Sequence, residues 1–342
     1  MNKQNILVLA LKPAMRMTKF HFGGAIIVMM LAVGLVAASA APASGGPTAT
    51  PLVTGLQGAM GSTIGPDGAL YVTEGAVGRI SRVDPQTGEK TTFASGLPKS
   101  IIGIGGAIDV AFIDNIAYVL VTLVSDPFLF PSSDVDGIYR VDGPNSFTVV
   151  ADIGQFNLDN PPTMSFDYFI HTGLQYALQS YGGGFLVTDA HLNRVLRVTL
   201  DGEITVLIPF GNIVPTGLEV RGNTVYMAEA GPDPHVLTAG KVVSFAPKSP
   251  TATEVASGAP FLLDVEFGGG GRLYALSHGV TSLGDPSNAL PNTGALFKVN
   301  VDGTFTVITD SLDRPTSLDF IGNTAYVVTL TGDILKIDGV SK

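Results

Sequence analysis

The sequence of 342 residues contains neither cysteine nor tryptophan, and only 14% of its residues are charged. Without cysteine, a disulfide framework, a thiolate zinc site and a cysteine nucleophile are all excluded. No Gly-x-Ser-x-Gly elbow occurs, which disfavours a serine hydrolase, and the glycine runs lack the Lys-Ser/Thr of a phosphate-binding loop. The chain does contain 42 glycines and 22 prolines. This composition indicates many short strands joined by tight turns.

Residues 1–43 differ from the rest of the chain. Basic residues precede an apolar run at 22–37, and small residues follow it. This order is typical of a secretory signal peptide, and the alternative is an uncleaved membrane anchor, for which the run is short. We therefore expect an exported protein, extracellular or periplasmic, or else one anchored in a membrane and facing outside, with a short linker at 44–49. Three methionines could begin the chain: Met1, Met15 and Met17.

The charge balance excludes one class of partner. Removal of residues 1–43 leaves fifteen basic residues against twenty-nine acidic ones, a formal charge of −14. Such a surface repels phosphate backbones and anionic lipids. We expect no nucleic-acid partner, membrane contact only through an uncleaved N-terminal segment, and a monomer.

A strand-like pentapeptide recurs six times, with tyrosine in its second position in five copies. The copies are LYVTE (70–74), AYVLV (117–121), FLVTD (185–189), VYMAE (225–229), LYALS (273–277) and AYVVT (325–329). A glycine-rich turn precedes most copies, and an alternating third strand follows each. The spacing of 40 to 68 residues fits the four strands of a propeller blade.

The repeat predicts one all-β domain at 50–340, a six-bladed β-propeller of the NHL/SMP-30-like superfold. The predicted blades are 57–97, 102–153, 170–209, 214–258, 260–312 and 315–340. The last unit has only three strands, whereas TPLVTGL (50–56) resembles the fourth-strand segment TTFASGL (91–97). We therefore predict that the N-terminal strand completes the C-terminal blade and closes the ring, which leaves no interface between the first and last blades exposed.

Three motifs carry a resemblance to a known family: LYVTEG (70–75), TDAHLNRVLRVTLDG (188–202) and VDGTFTVITD (301–310). Together with the exported six-unit layout, they resemble the ScyD/ScyE family of secreted six-bladed propellers over essentially the whole mature chain. The resemblance implies the fold but no settled activity. Similarity to gluconolactonase-type and streptogramin-lyase-type propellers is looser, and a shared fold does not transfer chemistry.

Loop lengths predict where a ligand binds. In a propeller, the connections from second to third strands and from one blade to the next share one face, here called the long-loop face. All the long segments fall there: 122–136, 154–170, 230–240 and 277–294. Function tends to lie on such loops. The leading hypothesis is a non-catalytic protein that binds a small molecule, glycan or protein at this face.

Polar residues near the ends of the second strands suggest an alternative function. They would form an acidic central mouth suited to calcium or magnesium, in a metal-assisted hydrolase or lyase. No spacing is diagnostic of a metal site, so these acids could equally cap turns. The candidate mouth residues are Glu74, Asp189, Asn193, Glu229 and His278. A candidate aromatic rim for stacking on a ligand consists of Phe128, Phe130, Phe166, Tyr168 and His235.

Overall fold

Each repeat folds into a four-stranded antiparallel sheet whose second strand is the apolar pentapeptide. The computed structural model describes residues 46–282 and 285–340, without the side chains of 282 and 285–288. The predicted signal or anchor at 1–43 lies outside the described residues. Within them, no helix is long and apolar enough to cross a membrane.

One strand from the N-terminus precedes the first three blades of the ring. That strand is β1 (Ala49–Val53). Blade one contains β2 (Ala59–Ile64), β3 (Leu70–Glu74), β4 (Arg79–Val83) and β5 (Lys90–Ser95). Blade two contains β6 (Gly106–Ile113), β7 (Ile116–Thr122), β8 (Gly137–Gly143) and β9 (Ser146–Asp152). Blade three contains β10 (Gln175–Tyr181), β11 (Gly184–Asp189), β12 (Arg194–Thr199) and β13 (Ile204–Pro209).

The second half repeats this order and ends one strand short. Blade four contains β14 (Pro215–Arg221), β15 (Thr224–Glu229), β16 (Gly240–Ala246) and β17 (Ser249–Ala259). Blade five contains β18 (Leu262–Phe267), β19 (Leu273–Ser277), β22 (Gly294–Val299) and β23 (Phe305–Leu312), with the hairpin β20 (Thr281–Ser282) and β21 (Asp285–Ala289) inserted. Blade six contains β24 (Pro315–Ile321), β25 (Thr324–Thr329) and β26 (Ile334–Ile337).

The N-terminal strand closes the ring, which confirms the prediction. β1 lies antiparallel to β26, with Ala49 opposite Ile337 and Val53 opposite Ile334. The amide of Leu56 then donates to the carbonyl of Gly332 at 2.9 Å. Neighbouring first strands contact one another around the full circle, so the six blades surround one axis.

The recurring tyrosines hold neighbouring blades together. Tyr71 packs edge-on against Phe112 of blade two, with ring centroids 4.8 Å apart. Tyr118, Tyr226 and Tyr274 each contact a phenylalanine of the following blade, at centroid distances of 4.9, 5.1 and 4.8 Å. The tyrosine of blade six, Tyr326, instead donates its hydroxyl to the carbonyl of Pro85 in blade one. The repeat therefore encodes the contacts between blades as well as the strands.

The long loops contain structure that the sequence pattern does not predict. Part of segment 154–170 folds as a short helix, α1 (Ile153–Asp159), whose first turn is capped by Asp152 through the amide of Gln155. Segment 277–294 contains the hairpin of β20 and β21. Both additions lie on the long-loop face. On the opposite face, the turn between β18 and β19 contains one short 3-10 turn, Gly269–Gly271.

Candidate functional site

The first predicted mouth residue, Glu74, binds protein groups on all sides. It ends β3 and is fully buried opposite Arg79, which begins β4. The guanidinium lies 2.6 Å from its carboxylate, and the Ser81 hydroxyl and the Gln57 amide also donate to it. Burial alone would raise the pKa of Glu74, but these donors lower it below the usual value. The ionised carboxylate therefore holds blade one together.

Asp189 and Asn193 also bind protein groups, in blades three and four. The Asp189 carboxylate accepts from Asn157 Nδ2 at 2.6 Å and from the Leu192 amide at 3.1 Å. Asn193 has a positive φ of 50°, and its Oδ1 accepts the amides of Ile213 and Val214. These bonds fix the turn after β11 and the connection between the two blades. Both side chains therefore position the loops.

Glu229 and His278 make fewer side-chain hydrogen bonds within the protein than Glu74 and Asp189 do. Glu229 ends β15 opposite Lys241, and burial raises the pKa of its carboxyl to about 7, although Lys241 opposes this shift. His278 donates from Nδ1 to the Pro315 carbonyl at 3.0 Å, and burial lowers its pKa to about 4. At neutral pH His278 is therefore an uncharged imidazole, and Glu229 is close to half protonated.

The five mouth candidates lie in four blades, each within its own set of contacts. Among residues 46–282 and 285–340, no group of three or more histidine or acidic side chains is arranged to hold a metal ion. Each of the acids that end β3, β11 and β15 lies opposite a basic residue of the next strand: Arg79, Arg194 and Lys241. The base opposite each acid reduces the predicted negative charge.

Three of the five rim candidates form one aromatic chain on the long-loop face. Phe128 lies 4.6 Å from the His171 ring, Tyr168 lies 5.7 Å from the same ring, and Phe166 lies 6.0 Å from Tyr168. Phe128 is 70% exposed. The chain brings together the loop of blade two and the loop that enters blade three, as a surface able to stack on a ligand.

The other two rim candidates lie elsewhere. The backbone of Phe130 pairs with that of Asp126 at the base of its loop. His235 stacks on Phe261 with centroids 4.0 Å apart, and Phe261 meets His278 edge-on at 5.2 Å. This second cluster joins the loops of blades four and five.

Asp126 joins the two loops that carry the aromatic chain. One carboxylate oxygen accepts the amides of Phe128 and Leu129, and the other accepts those of His171 and Thr172. The residue is fully buried. No sequence signal singles it out, because the register between two loops of different blades is not visible in a repeat.

Polar atoms without a partner concentrate at the same face. Five side chains in the described part of the chain have a buried polar atom with no hydrogen bond: Asp136 (Oδ2), His171 (Nδ1), Thr172 (Oγ1), Arg194 (Nε) and His235 (Nδ1). All belong to long loops or to strand ends at the long-loop face. Burial raises the pKa of Asp136 to about 7. Buried polar groups are nearly always satisfied by protein or by ordered water, so these atoms mark positions where water or a ligand can bind.

Exposed apolar side chains show the same bias. Within the described residues, nine of fifteen large exposed apolar side chains lie in connections on the long-loop face, against three at the tight turns. The nine are Ile101, Ile104, Phe128, Leu129, Met164, Phe169, Val236, Leu237 and Leu290. Single exposed apolar residues are ordinary, but their concentration on one face favours that face for interactions, and we call this set the apolar rim.

The central channel holds acids that the sequence pattern did not single out. They lie on the first strands of four blades: Asp109, Glu219, Asp264, Glu266 and Asp319. Burial raises the pKa of Asp109 to about 8, of Glu219 to about 7 and of Asp319 to about 6, and raises the pKa values of Asp264 and Glu266 well above normal.

Two of these acids tie neighbouring blades together. Asp109 accepts the amide of Leu178 in blade three at 2.7 Å, and Asp264 accepts that of Leu318 in blade six at the same distance. Tyr176 reaches across the channel and donates its hydroxyl to the Thr316 carbonyl at 2.7 Å. These bonds make the channel acids part of the scaffold.

The comparisons with known proteins agree with this architecture. The molecule has the fold of a six-bladed propeller. It is similar to the PQQ-bound aldose sugar dehydrogenase of Streptomyces coelicolor, with a TM-score of 0.56 and 16% identity over 87% of this chain and 99% of that one. It is also similar to the soluble aldose sugar dehydrogenase of Escherichia coli in its apo form, with a TM-score of 0.55 and 14% identity over 85% and 99%.

A third similar structure is a catalytically inactive virginiamycin B lyase of Staphylococcus aureus with quinupristin, with a TM-score of 0.52 and 15% identity over 85% of this chain and 98% of that one. No protein-family model and no curated protein matches the sequence. Identities this low establish the fold alone, because one fold can host many unrelated functions.

Proposed function

We propose that this chain is an exported, ScyD/ScyE-like propeller that binds a small molecule, glycan or protein at its long-loop face without catalysing a reaction. The observation that carries the proposal is the apolar rim beside the aromatic chain of Phe128, His171, Tyr168 and Phe166. Ligand sites combine apolar and aromatic walls with a few polar groups, and this face offers both.

The contacts of the mouth acids support a binding protein over an enzyme. Glu74 and Asp189 are held by hydrogen bonds from the protein itself, and Asn193 fixes two backbone amides. A carboxylate that already accepts several donors has little capacity left for a metal ion. On this view the strand ends are a rigid base, and the loops above them contact the ligand.

A second candidate function is a metal-assisted hydrolase or lyase that uses calcium or magnesium. Two observations favour it. Structurally similar proteins include enzymes, a virginiamycin B lyase and aldose sugar dehydrogenases. In addition, Glu229 and His278 are buried with pKa values shifted to about 7 and about 4. Perturbed pKa values often mark reactive groups, although burial in a scaffold has the same effect.

Binding of an environment-sensitive apolar dye, anilinonaphthalene sulfonate, would test the binding proposal. The folded protein should bind the dye, and the F128A/F169A variant should lose most of that binding at unchanged melting temperature. The V149A/V206A variant removes two exposed valines from outer strands and is the matched control. Equal binding by all three proteins would overturn the proposed site. If the site is supported, a panel of glycans and small molecules can be screened by dye displacement.

The enzyme alternative requires a different measurement. Metal content of the purified protein and its melting temperature with added calcium or magnesium would test it. A native metal site should raise the melting temperature, since a ligand that binds only the folded state stabilises it. E229Q should abolish that rise if Glu229 is a ligand. If the purified protein is metal-free and neither ion changes its melting temperature, the enzyme hypothesis loses its main support.

A further inference from the structure

His191 accepts two backbone hydrogen bonds from the loop that enters blade three, here called the aromatic loop. Its Nε2 lies 3.0 Å from the Phe169 amide nitrogen and 3.1 Å from that of Ile170. Both amides are donors, so Nε2 accepts twice. The Phe169 ring also packs edge-on against the imidazole, with centroids 4.8 Å apart. One side chain from the turn after β11 therefore holds the loop that carries Phe166, Tyr168 and Phe169.

This geometry requires an uncharged ring. A histidine that accepts at Nε2 carries its proton on Nδ1. Protonation of Nε2 would place a third N–H against the two amide N–H groups, and both hydrogen bonds would be lost. The loop would lose its contact with His191 and keep those made by Asp126 to His171 and Thr172.

The groups around His191 determine the pH at which its ring becomes protonated. Burial lowers its pKa below the usual value and is the largest effect. Asp189 at the end of β11, Asp233 on the loop of blade four and Asp126 on the loop of blade two oppose that lowering of the pKa, while His171 on the aromatic loop adds to it. His191 is therefore neutral at pH 7 and becomes charged at a lower pH than an unperturbed histidine.

We propose that His191 is a pH-sensitive latch that orders the aromatic loop at neutral pH and releases it in acid. This regulation rests on the proposed function, because the released loop carries part of the surface proposed to bind the ligand. Acidification would weaken binding at the long-loop face while the six blades remain folded. The device resembles other switches in which protonation of histidine changes a local contact.

Hydrogen exchange on the ligand-free protein tests the latch without assuming any ligand. After correction for intrinsic exchange, the amides of Phe169 and Ile170 should exchange faster at pH 5 than at pH 7.5, by on the order of tenfold for each lost hydrogen bond. The H191Q variant keeps an acceptor that does not titrate, so its exchange should not depend on pH. H235Q, in a neighbouring loop, should behave like the wild type.

A wild-type measurement covers the case in which H191Q does not fold. Nitrogen NMR should show His191 protonated on Nδ1 alone at pH 7.5 and on both ring nitrogens in acid, in step with faster exchange of the Phe169 and Ile170 amides. An Nε2-protonated ring, or exchange of the two amides that ignores pH, would overturn the latch. If the latch is confirmed but dye binding is the same at both pH values, the latch stands and the proposed binding site is wrong.

Discussion

The two faces of the ring are built from the same repeat but differ in chemistry. At the tight turns, acidic residues are exposed and bind nearby donors, which lower the pKa values of Asp84, Asp142, Asp201 and Asp302. At the long-loop face, Asp136 and Glu229 are buried, and their pKa values rise to about 7. Local hydrogen bonds therefore stabilise the charged acids at the tight turns. The long-loop face instead retains buried carboxyls whose loss of hydration is not fully offset by hydrogen bonds. Such groups cost stability, and their presence is typical of a region kept for function.

The largest expected difference in stability is between substitutions at the two ends of a single strand, β4. Replacement of Arg79 by methionine leaves the Glu74 carboxylate buried without its cation and should cost about 3 to 5 kcal/mol in urea unfolding. Arg82, near the other end of β4, pairs with Asp67 in the open. R82M should leave the urea midpoint nearly unchanged, because exposed ion pairs contribute little. Equal effects of the two substitutions would contradict the comparison.

Two aspartates that bind backbone amides give a second matched pair. D126A leaves four amides of two long loops without their acceptor, and we expect a loss of about 2 to 3 kcal/mol in the free energy of unfolding. Asp84 accepts the amides of Gln86 and Thr87 in an exposed tight turn, where water can replace it. D84A should therefore have a much smaller effect. A larger effect at Asp84 would show that the tight turns carry the stability.

The pH dependence of stability should separate the two sets of acids. A carboxyl whose pKa is raised on folding stabilises the folded state below its unfolded pKa, and this stability is lost as pH rises through the folded pKa. The acids whose pKa values rise to about 7 to 8 on folding are Asp109, Asp136, Glu219 and Glu229. The free energy of unfolding should therefore fall progressively, by at least about 1 to 2 kcal/mol in all, between about pH 4 and pH 8. Acids at the tight turns, with lowered pKa values, act only below about pH 4. A free energy of unfolding that does not change between pH 5 and pH 8 would contradict the assignment.

The smallest predicted effect concerns Asp136. Its Oδ1 accepts the Val124 amide, while Oδ2 has no partner and lies near the buried Thr172 hydroxyl. In D136N the amide nitrogen can donate to that hydroxyl without a proton from solvent. We expect D136N to stabilise the protein by about 1 kcal/mol at pH 8 and by less at pH 5, where the carboxyl of the folded state is still protonated. Destabilisation at both pH values would show that the Asp136 charge is required.

The repeat predicted the fold because its signals are local. Alternation, glycine turns and the recurring tyrosine specify the strands and the packing between blades, and the missing fourth strand specified the closure by β1. The channel acids were missed although a signal existed: acids interrupt the first strands, as in LDVEF (263–267). The base opposite Glu74 could also have been found, since Arg79 follows five residues later across a tight connection.

The arrangement of the long loops could not be found in this way. The contacts of Asp126 with His171 and of His191 with Phe169 join segments 45 and 22 residues apart. Such contacts depend on how irregular loops settle on their neighbours, and no periodicity encodes that. The residues of the candidate aromatic rim could be recognised from composition. Tertiary packing decides which of them lie near His171 and which lie near Phe261.

Replacement of the exposed loop-tip side chains of Phe128 and Leu129 by serine tests most directly whether the long-loop face is the binding surface. Both backbone amides stay bound to the Asp126 carboxylate, so the buried base of this loop is unchanged. The account predicts a variant that melts at the wild-type temperature and has lost most of its anilinonaphthalene sulfonate binding. Full dye binding by a stable variant, or unfolding of the variant, would contradict it.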